Sequence, residues 1–178
     1  MTGHELSRRA SELEWLLVDV DGVLTDGGLY YDRKGPAYMR FNARDGLGLK
    51  VAQLAGLKVG ILSGRASAAL ERRATELQLD ALHMGVSDKS AEFAAFLERQ
   101  NTSARRVAYI GDDLPDLVVL GQCGLSFAPA DAAAEVKTVV HRTLETAGGQ
   151  GAVREMVEII LKARGEWDQV FSRFTFDG

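Results

Sequence analysis

Two places in this sequence set carboxylates where a buried strand runs out. Asp19-Val20-Asp21-Gly22-Val23-Leu24-Thr25-Asp26-Gly27 follows an apolar run beginning at Trp15, and Gly111-Asp112-Asp113-Leu114-Pro115-Asp116 follows Arg106 to Ile110. Asp is depleted in strands, and a buried carboxylate is costly unless it is paired or bound to metal. Adjacent Asp112 and Asp113 repel each other, and a nearby cation is the natural remedy. Such a set can supply ligands for a hard divalent ion. Each stretch also has a plainer reading. The first is an Asx-rich turn. The second is a helix N-terminus that favours acids, which explains Asp116 well and Asp112 poorly.

Two further residues stand at positions suited to anion binding. Ser63, in Ile61-Leu62-Ser63-Gly64-Arg65, ends another apolar run; its hydroxyl can hold a phosphate oxygen or cap the helix that follows, the commoner role. Lys89, in Ser87-Asp88-Lys89-Ser90, opens a helical pattern. There it opposes the helix dipole, so it is either a solvated lysine or one kept for a specific task. Arg65 and Arg73 are eight residues apart, slightly over two turns, so both can share a helix face and either can grip a carboxylate bidentately. Asn42, Arg44, Asp45, Gly46 and Lys50 read as a polar loop leading into a helix.

The elements that must position these residues alternate. Strands are expected at Trp15–Val20, Lys58–Leu62, Ala81–Met84, Arg106–Ile110 and Leu125–Ala128, with a sixth at Lys137–Val140. Helical spacing marks Leu47–Leu54, Ala66–Leu77, Ser90–Leu97, Pro115–Gln122 and Ala152–Ala163. Continuous apolar strands alternating with helices imply an α/β fold, a parallel sheet with helices on both faces. Ligands then bind at the carboxyl ends of the strands. One segment breaks the rhythm. Gly27–Phe41 carries two aromatic-rich runs around Asp32-Arg33-Lys34-Gly35 and reads as a β-hairpin. The chain of 178 residues suggests a single domain, with a loosely ordered tail over about 164–178.

Bulk properties exclude several classes. Hydrophobic residues make up 46% of the chain and charged residues 26%, ordinary for a soluble globular protein. A net charge of −4 gives no reason to expect nucleic acid or an anionic membrane as a partner. The single cysteine, Cys123, rules out an internal disulfide and a Cys-based zinc site. Met1–Glu14 lacks the apolar stretch of a signal peptide, and no apolar run is long enough to span a bilayer, so a cytoplasmic protein is expected.

Taken in order, Asp-x-Asp, Ser, Lys and Gly-Asp-Asp-x-x-Asp resemble the four-motif signature of the haloacid dehalogenase (HAD) superfamily. The stretches Asp19–Gly27, Phe41–Gly46, Ile61–Arg65 and Gly148-Gly149-Gln150-Gly151-Ala152-Val153-Arg154-Glu155 together resemble the 3-deoxy-D-manno-octulosonate 8-phosphate (KDO 8-phosphate) phosphatases, from about Trp15 to Ala163. Sialic-acid-type 9-phosphate phosphatases share much of the pattern and stay open as an alternative. The resemblance implies a three-layer Rossmann-like HAD fold with a small β-hairpin insertion instead of a cap domain. It also implies a Mg²⁺-dependent phosphatase in lipopolysaccharide precursor synthesis, acting on a phosphorylated sugar acid. Asp19 is then the nucleophile that forms an aspartyl phosphate. Asp21 is the general acid–base, and Ser63 and Lys89 hold the transferring oxygens. Mg²⁺ is bound by Asp19, Asp112 and the main-chain carbonyl of Asp21, with Asp113 and Asp116 orienting the ligands. Asn42, Arg44, Asp45, Gly46, Lys50, Arg65 and Arg73 are implied to contact the sugar.

Neither Gly27–Phe41 nor Ser63–Lys89 has room for a cap domain. A hairpin carrying Tyr30, Tyr31, Tyr38, Met39 and Phe41 is also a sticky edge unless it packs on its own domain. The resemblance implies a homotetramer with the hairpins joined, and the segment after Gly148 approaching a site. Two other classes compete. A receiver-type phospho-switch places its acceptor after the third strand, where this chain has His83-Met84-Gly85. An inactive HAD binding module would not need the full motif set.

Overall fold

The computed structural model describes residues 1–33 and 35–175, with positions 35–37 described by their backbone. Lys34, in the expected hairpin turn, and the last three residues of the expected loose tail lie outside the described residues.

Six parallel strands form the central sheet: β1 (Trp15–Val18), β4 (Lys58–Leu62), β5 (Ala81–His83), β6 (Val107–Ile110), β7 (Leu125–Ala128) and β8 (Arg142–Thr143), in the order β5-β4-β1-β6-β7-β8. β1 is central, aligned through Val18 with Ile61 of β4 on one side and Ile110 of β6 on the other. The chain builds outward from β1 through β4 to β5, then returns to place β6 on the opposite side of β1. That reversal opens a crevice at the carboxyl ends of β1 and β6.

Alternation along the strands feeds two cores. Leu16, Val18, Ala108, Ile110, Leu125 and Phe127 face the layer that contains α2 (Ala43–Leu54) and α7 (Ala152–Arg164). Trp15, Leu17, Val107 and Tyr109 face the layer that contains α4 (Lys89–Arg99) and the short α5 (Leu117–Leu120). Both faces being covered explains why β1, β6 and β7 are buried at every position.

Several elements depart from expectation. α3 spans Ala68–Glu76 and is capped by Ser67, whose Oγ accepts the N–H of Leu70 at 3.2 Å. Arg65 therefore lies in the loop before the helix and does not share a helix face with Arg73. The sixth strand expected at Lys137–Val140 is instead the end of helix α6 (Ala134–Val139), and the edge strand is β8. The β-branched pair Val139-Val140 suggested a strand, but Val136 is the residue of α6 that enters the core. A helix, α1 (Gly3–Ser11), forms in the polar N-terminal stretch, laced by Arg8 to Glu5 and Glu12 and by Arg9 to Glu5. It docks on α7 through the Ser7 hydroxyl, which donates to Ala163 O at 2.8 Å. Where a loose tail was expected, α8 (Trp167–Ser172) buries Val170 and packs Trp167 on the core.

β2 (Tyr30–Asp32) and β3 (Gly35–Tyr38) pair antiparallel as a separate two-stranded sheet. Among the described residues, no helix is long and apolar enough to cross a membrane.

Candidate active site

Asp19 is the first residue past β1, its N–H held by Ile110 O at 3.1 Å. Its carboxylate is almost fully buried, and Lys89 Nζ lies 2.8 Å from Oδ1. Lys89 is the first residue of α4, whose N-terminus is capped by Asp88 accepting from Ser90 and Ala91. The unfavourable dipole at that position is offset by two carboxylates, because Lys89 also reaches Asp116 Oδ1 at 2.6 Å. Burial works to lower the Lys89 ammonium, but Asp19 and Asp116 outweigh it and raise it above its ordinary range.

Asp116 is saturated by neighbours. Its Oδ1 accepts the Tyr109 hydroxyl at 2.6 Å as well as Lys89, and its Oδ2 accepts the N–H groups of Asp112 at 3.0 Å and Asp113 at 3.3 Å. Asp113 caps the 3-10 turn Leu114–Asp116 by accepting the N–H of Leu114 at 2.8 Å. Asp112 faces the cleft, and Ala133 N–H fixes its main-chain carbonyl at 2.8 Å.

Oxygens of Asp19, Asp112 and Asp116 lie within 4.8 Å of one another. Burial, then the charge of Asp116, pushes Asp19 up to about 7, against the pull of Lys89. Burial, then Asp19, Asp116 and Asp113, pushes Asp112 up to about 7 as well. Hard anionic oxygens crowded in this way fit a small divalent cation. Both oxygens of Asp116 are engaged, whereas Asp19 and Asp112 line the cleft from past the ends of β1 and β6.

Ser63 is buried past β4, pinned by Ser63 N–H to His83 O at 2.8 Å and by Val86 N–H to Ser63 O at 3.1 Å. Its Oγ accepts the N–H of Arg65 at 3.2 Å, so the capping alternative for Ser63 gives way to Ser67. Arg65 Nε donates to Asp21 Oδ2 at 2.9 Å. A cleft of about 530 Å³ is lined by Asp19, Asp21, Arg65, Lys89, Asp112 and Asp116. A second hollow, about 270 Å³, shares Asp21 and Arg65 and extends beneath Tyr31 and Tyr38 of the hairpin.

No family model matches the chain. It is 42% identical over 161 residues to the 3-deoxy-D-manno-octulosonate 8-phosphate phosphatase of Haemophilus influenzae, covering 90% of this chain and 89% of that one. The same phosphatase of Escherichia coli K12 is 38% identical over 161 residues, 90% of this chain and 86% of that one. The chain belongs to the KDO 8-phosphate phosphatase family. Solved members superpose closely. The enzyme of Moraxella catarrhalis, crystallised with magnesium, phosphate and KDO, has a TM-score of 0.93 at 33% identity, covering 97% of this chain and 99% of that one. The cobalt-bound Haemophilus influenzae enzyme has a TM-score of 0.88 at 41% identity, covering 92% and 99%. The fold is thus that of the HAD superfamily, a parallel α/β sheet with helices.

The structure gathers Asp19, Asp21, Lys89, Asp112, Asp116 and Arg65 around one cleft, with Asp113 at its rim and Ser63 behind Arg65. Of the seven expected sugar contacts, only Arg65 lines either hollow, and two of the others are engaged elsewhere. Asp45 is buried and accepts the N–H groups of Gly151 at 3.2 Å and Arg154 at 3.0 Å, holding the first turn of α7. Lys50 Nζ donates to Leu77 O at 2.7 Å, just past the end of α3, and to Gln53 and Gln78. In both cases an unsatisfied helix end from a distant part of the chain takes the side chain. Asn42 caps α2 through Arg44 N–H at 2.8 Å, and its amide donates to Gly149 O at 3.2 Å. Arg73 lies over Gly46, where a Cβ would meet its guanidinium at 2.1 Å; Arg44 is exposed. Tyr109 was missed. Its sequence signal is a hydroxyl-bearing aromatic in an otherwise aliphatic strand, three residues before Asp112.

Proposed function

We propose that the chain is a Mg²⁺-dependent phosphatase that hydrolyses KDO 8-phosphate through an aspartyl phosphate on Asp19. The observation that carries this reading is the buried Asp19 carboxylate, bracketed by Lys89 and by Asp112 at the carboxyl ends of β1 and β6. Asp19 and Asp112, with the main-chain carbonyl of Asp21, would hold the Mg²⁺. When bound, the ion offsets the repulsion between an anionic nucleophile and an anionic phosphate.

The chain's own groups supply the rest. An Asp19 oxygen attacks phosphorus, and the bond to the sugar oxygen breaks. Asp21 gives that oxygen a proton, then takes one from the water that cleaves the acyl phosphate and regenerates Asp19. Lys89 would steady charge on the transferring oxygens, with the Ser63 hydroxyl, behind Arg65, as a further donor. Asp116 holds Lys89 and the Asp112 amide, and Asp113 holds the turn between them. Arg65, which lines both hollows, would meet the sugar carboxylate; Arg44, Asn42, Gly46 and Arg73 line neither hollow and would reach the sugar only at its far end.

The reading extends to a single-domain enzyme acting in the cytoplasm on a lipopolysaccharide precursor, and to a homotetramer. Exposed Tyr30, Tyr31 and Tyr38 support the latter. Phosphate release from KDO 8-phosphate and from p-nitrophenyl phosphate tests the chemistry. Asp19→Asn should abolish both activities, because an amide cannot form the acyl phosphate. Asp21→Asn should lower them by ~10²–10⁴-fold. Wild-type turnover in the Asp19 variant would falsify the mechanism.

A further inference from the structure

The motif Gly148-Gly149-Gln150-Gly151 lines neither hollow, yet it touches the loop that carries the chemistry. Three elements hold it. Gly149 N–H donates to Val23 O at 2.9 Å, the Asn42 amide donates to Gly149 O at 3.2 Å, and Gly148 N–H donates to Asp131 Oδ1 at 2.9 Å. The fit against the loop after β1 is backbone on backbone. A Cβ on Gly148 would lie 1.8 Å from Gly22 O, and one on Gly149 would lie 2.5 Å from Asp26 N. Gly22 in turn has φ +77° and passes so close to the cation site that its own Cβ would fall 2.1 Å from Asp112 Oδ2. A contiguous stack therefore runs from Gly148 through Gly22 to the Asp112 carboxylate, with Asp21 one residue and Asp19 three residues before Gly22 in the same loop.

We propose that the Gly148–Gly149 turn is a positioning element for the cation site, a backstop that presses Gly22 against Asp112 and fixes the gap between the Asp19 and Asp112 carboxylates. The inference rests on those two residues being the cation ligands. Gly148 has no left-handed backbone, so Gly148→Ala acts through space alone. The added methyl has only backbone to push against and must displace the Gly22 loop or the turn itself.

The test reads Mg²⁺ binding without turnover. The melting temperature of the full chain is followed as MgCl₂ is titrated into EDTA-treated protein. Wild type should show a saturable rise. Gly148→Ala should keep its far-ultraviolet circular dichroism but need ~10–100-fold more Mg²⁺ for half the rise, the range typical when the support of a metal ligand is lost. Val153→Ala, which leaves a gap in the buried face of α7, should lower the melting temperature yet keep the wild-type Mg²⁺ midpoint. If Gly148→Ala does not fold, Asp131→Ala is read instead; it frees the Gly148 N–H without adding bulk and should shift the midpoint in the same direction. An unshifted midpoint in the folded variant overturns the proposal, as does an equal shift in Val153→Ala. A wild type with no Mg²⁺-dependent rise would remove the cation reading itself and the proposal with it.

Discussion

Asp19 and Asp112 are both raised above the ordinary carboxylate range, so ionising them costs more in the folded chain than in water, and a bound cation relieves that cost. Lys89 is the counterpart, a cation stabilised by two buried anions. The position of all three was legible because each broke a local rule: acids at the ends of apolar runs, and a lysine at a helix start. Tyr109 broke none, since a tyrosine in a buried strand reads as packing. Its hydroxyl shares Asp116 Oδ1 with Lys89. Tyr109→Phe removes only that hydroxyl, leaving Lys89 as the sole donor to Oδ1 and looser between Asp116 and Asp19. A hydrogen bond to a charged group contributes about 1.5 kcal/mol, so kcat should fall roughly tenfold. KM for p-nitrophenyl phosphate and the Mg²⁺ midpoint should stay as in wild type, since neither the cleft wall nor the cation ligands change. Steady-state kinetics with an unchanged kcat would show that Tyr109 only packs.

Strands β1, β4, β6 and β7 were legible as continuous apolar runs, because burial on both faces suppresses the alternation that would otherwise mark them. Short runs with mixed signals were not. Val139-Val140 resembled a strand, but the segment before it coils so that Val136 reaches the core. Helix ends explain where Asp45 and Lys50 lie. Asp45 and Lys50 lie beside motif residues in sequence, yet they serve the start of α7 and the end of α3, elements far along the chain that only the tertiary fold brings near. Lys50→Met keeps the aliphatic stem and removes the donor to Leu77 O. It should lower stability by about 1 kcal/mol, with a corresponding drop in melting temperature of roughly 2–4 °C. Its kcat/KM for KDO 8-phosphate should match wild type. A variant of normal stability with a raised KM would return Lys50 to the sugar site.

At the scale of the molecule, what one chain leaves uncovered is as informative as what it packs. Met39 and Phe41 pack on the core, as one of two expectations for the hairpin aromatics had it. Tyr31 and Tyr38 stay 61% and 69% exposed, and Leu29 and Tyr30 are exposed beside them. β2 and β3 pair only with each other among the described residues. The hollow beneath these tyrosines shares Asp21 and Arg65 with the cleft, so a partner lying on the hairpin would also wall in the cleft. Sequence alone could mark the hairpin as sticky, but not divide its apolar residues between core and surface, because that division depends on tertiary packing. Replacing Tyr30 and Tyr38 with glutamate should remove apolar interface, at ~25 cal/mol per Å² buried. It should also strand charge in what would be a desolvated contact. If the proposed tetramer forms, light scattering should then show smaller species for the variant than for wild type. Activity on KDO 8-phosphate should fall with it, and activity on p-nitrophenyl phosphate should fall less, because Asp19, Lys89 and Asp112 belong to one chain. A monomeric wild type with full activity on the sugar phosphate would show that no neighbour is needed. Equal loss on both substrates would place the damage in the cleft rather than at its wall.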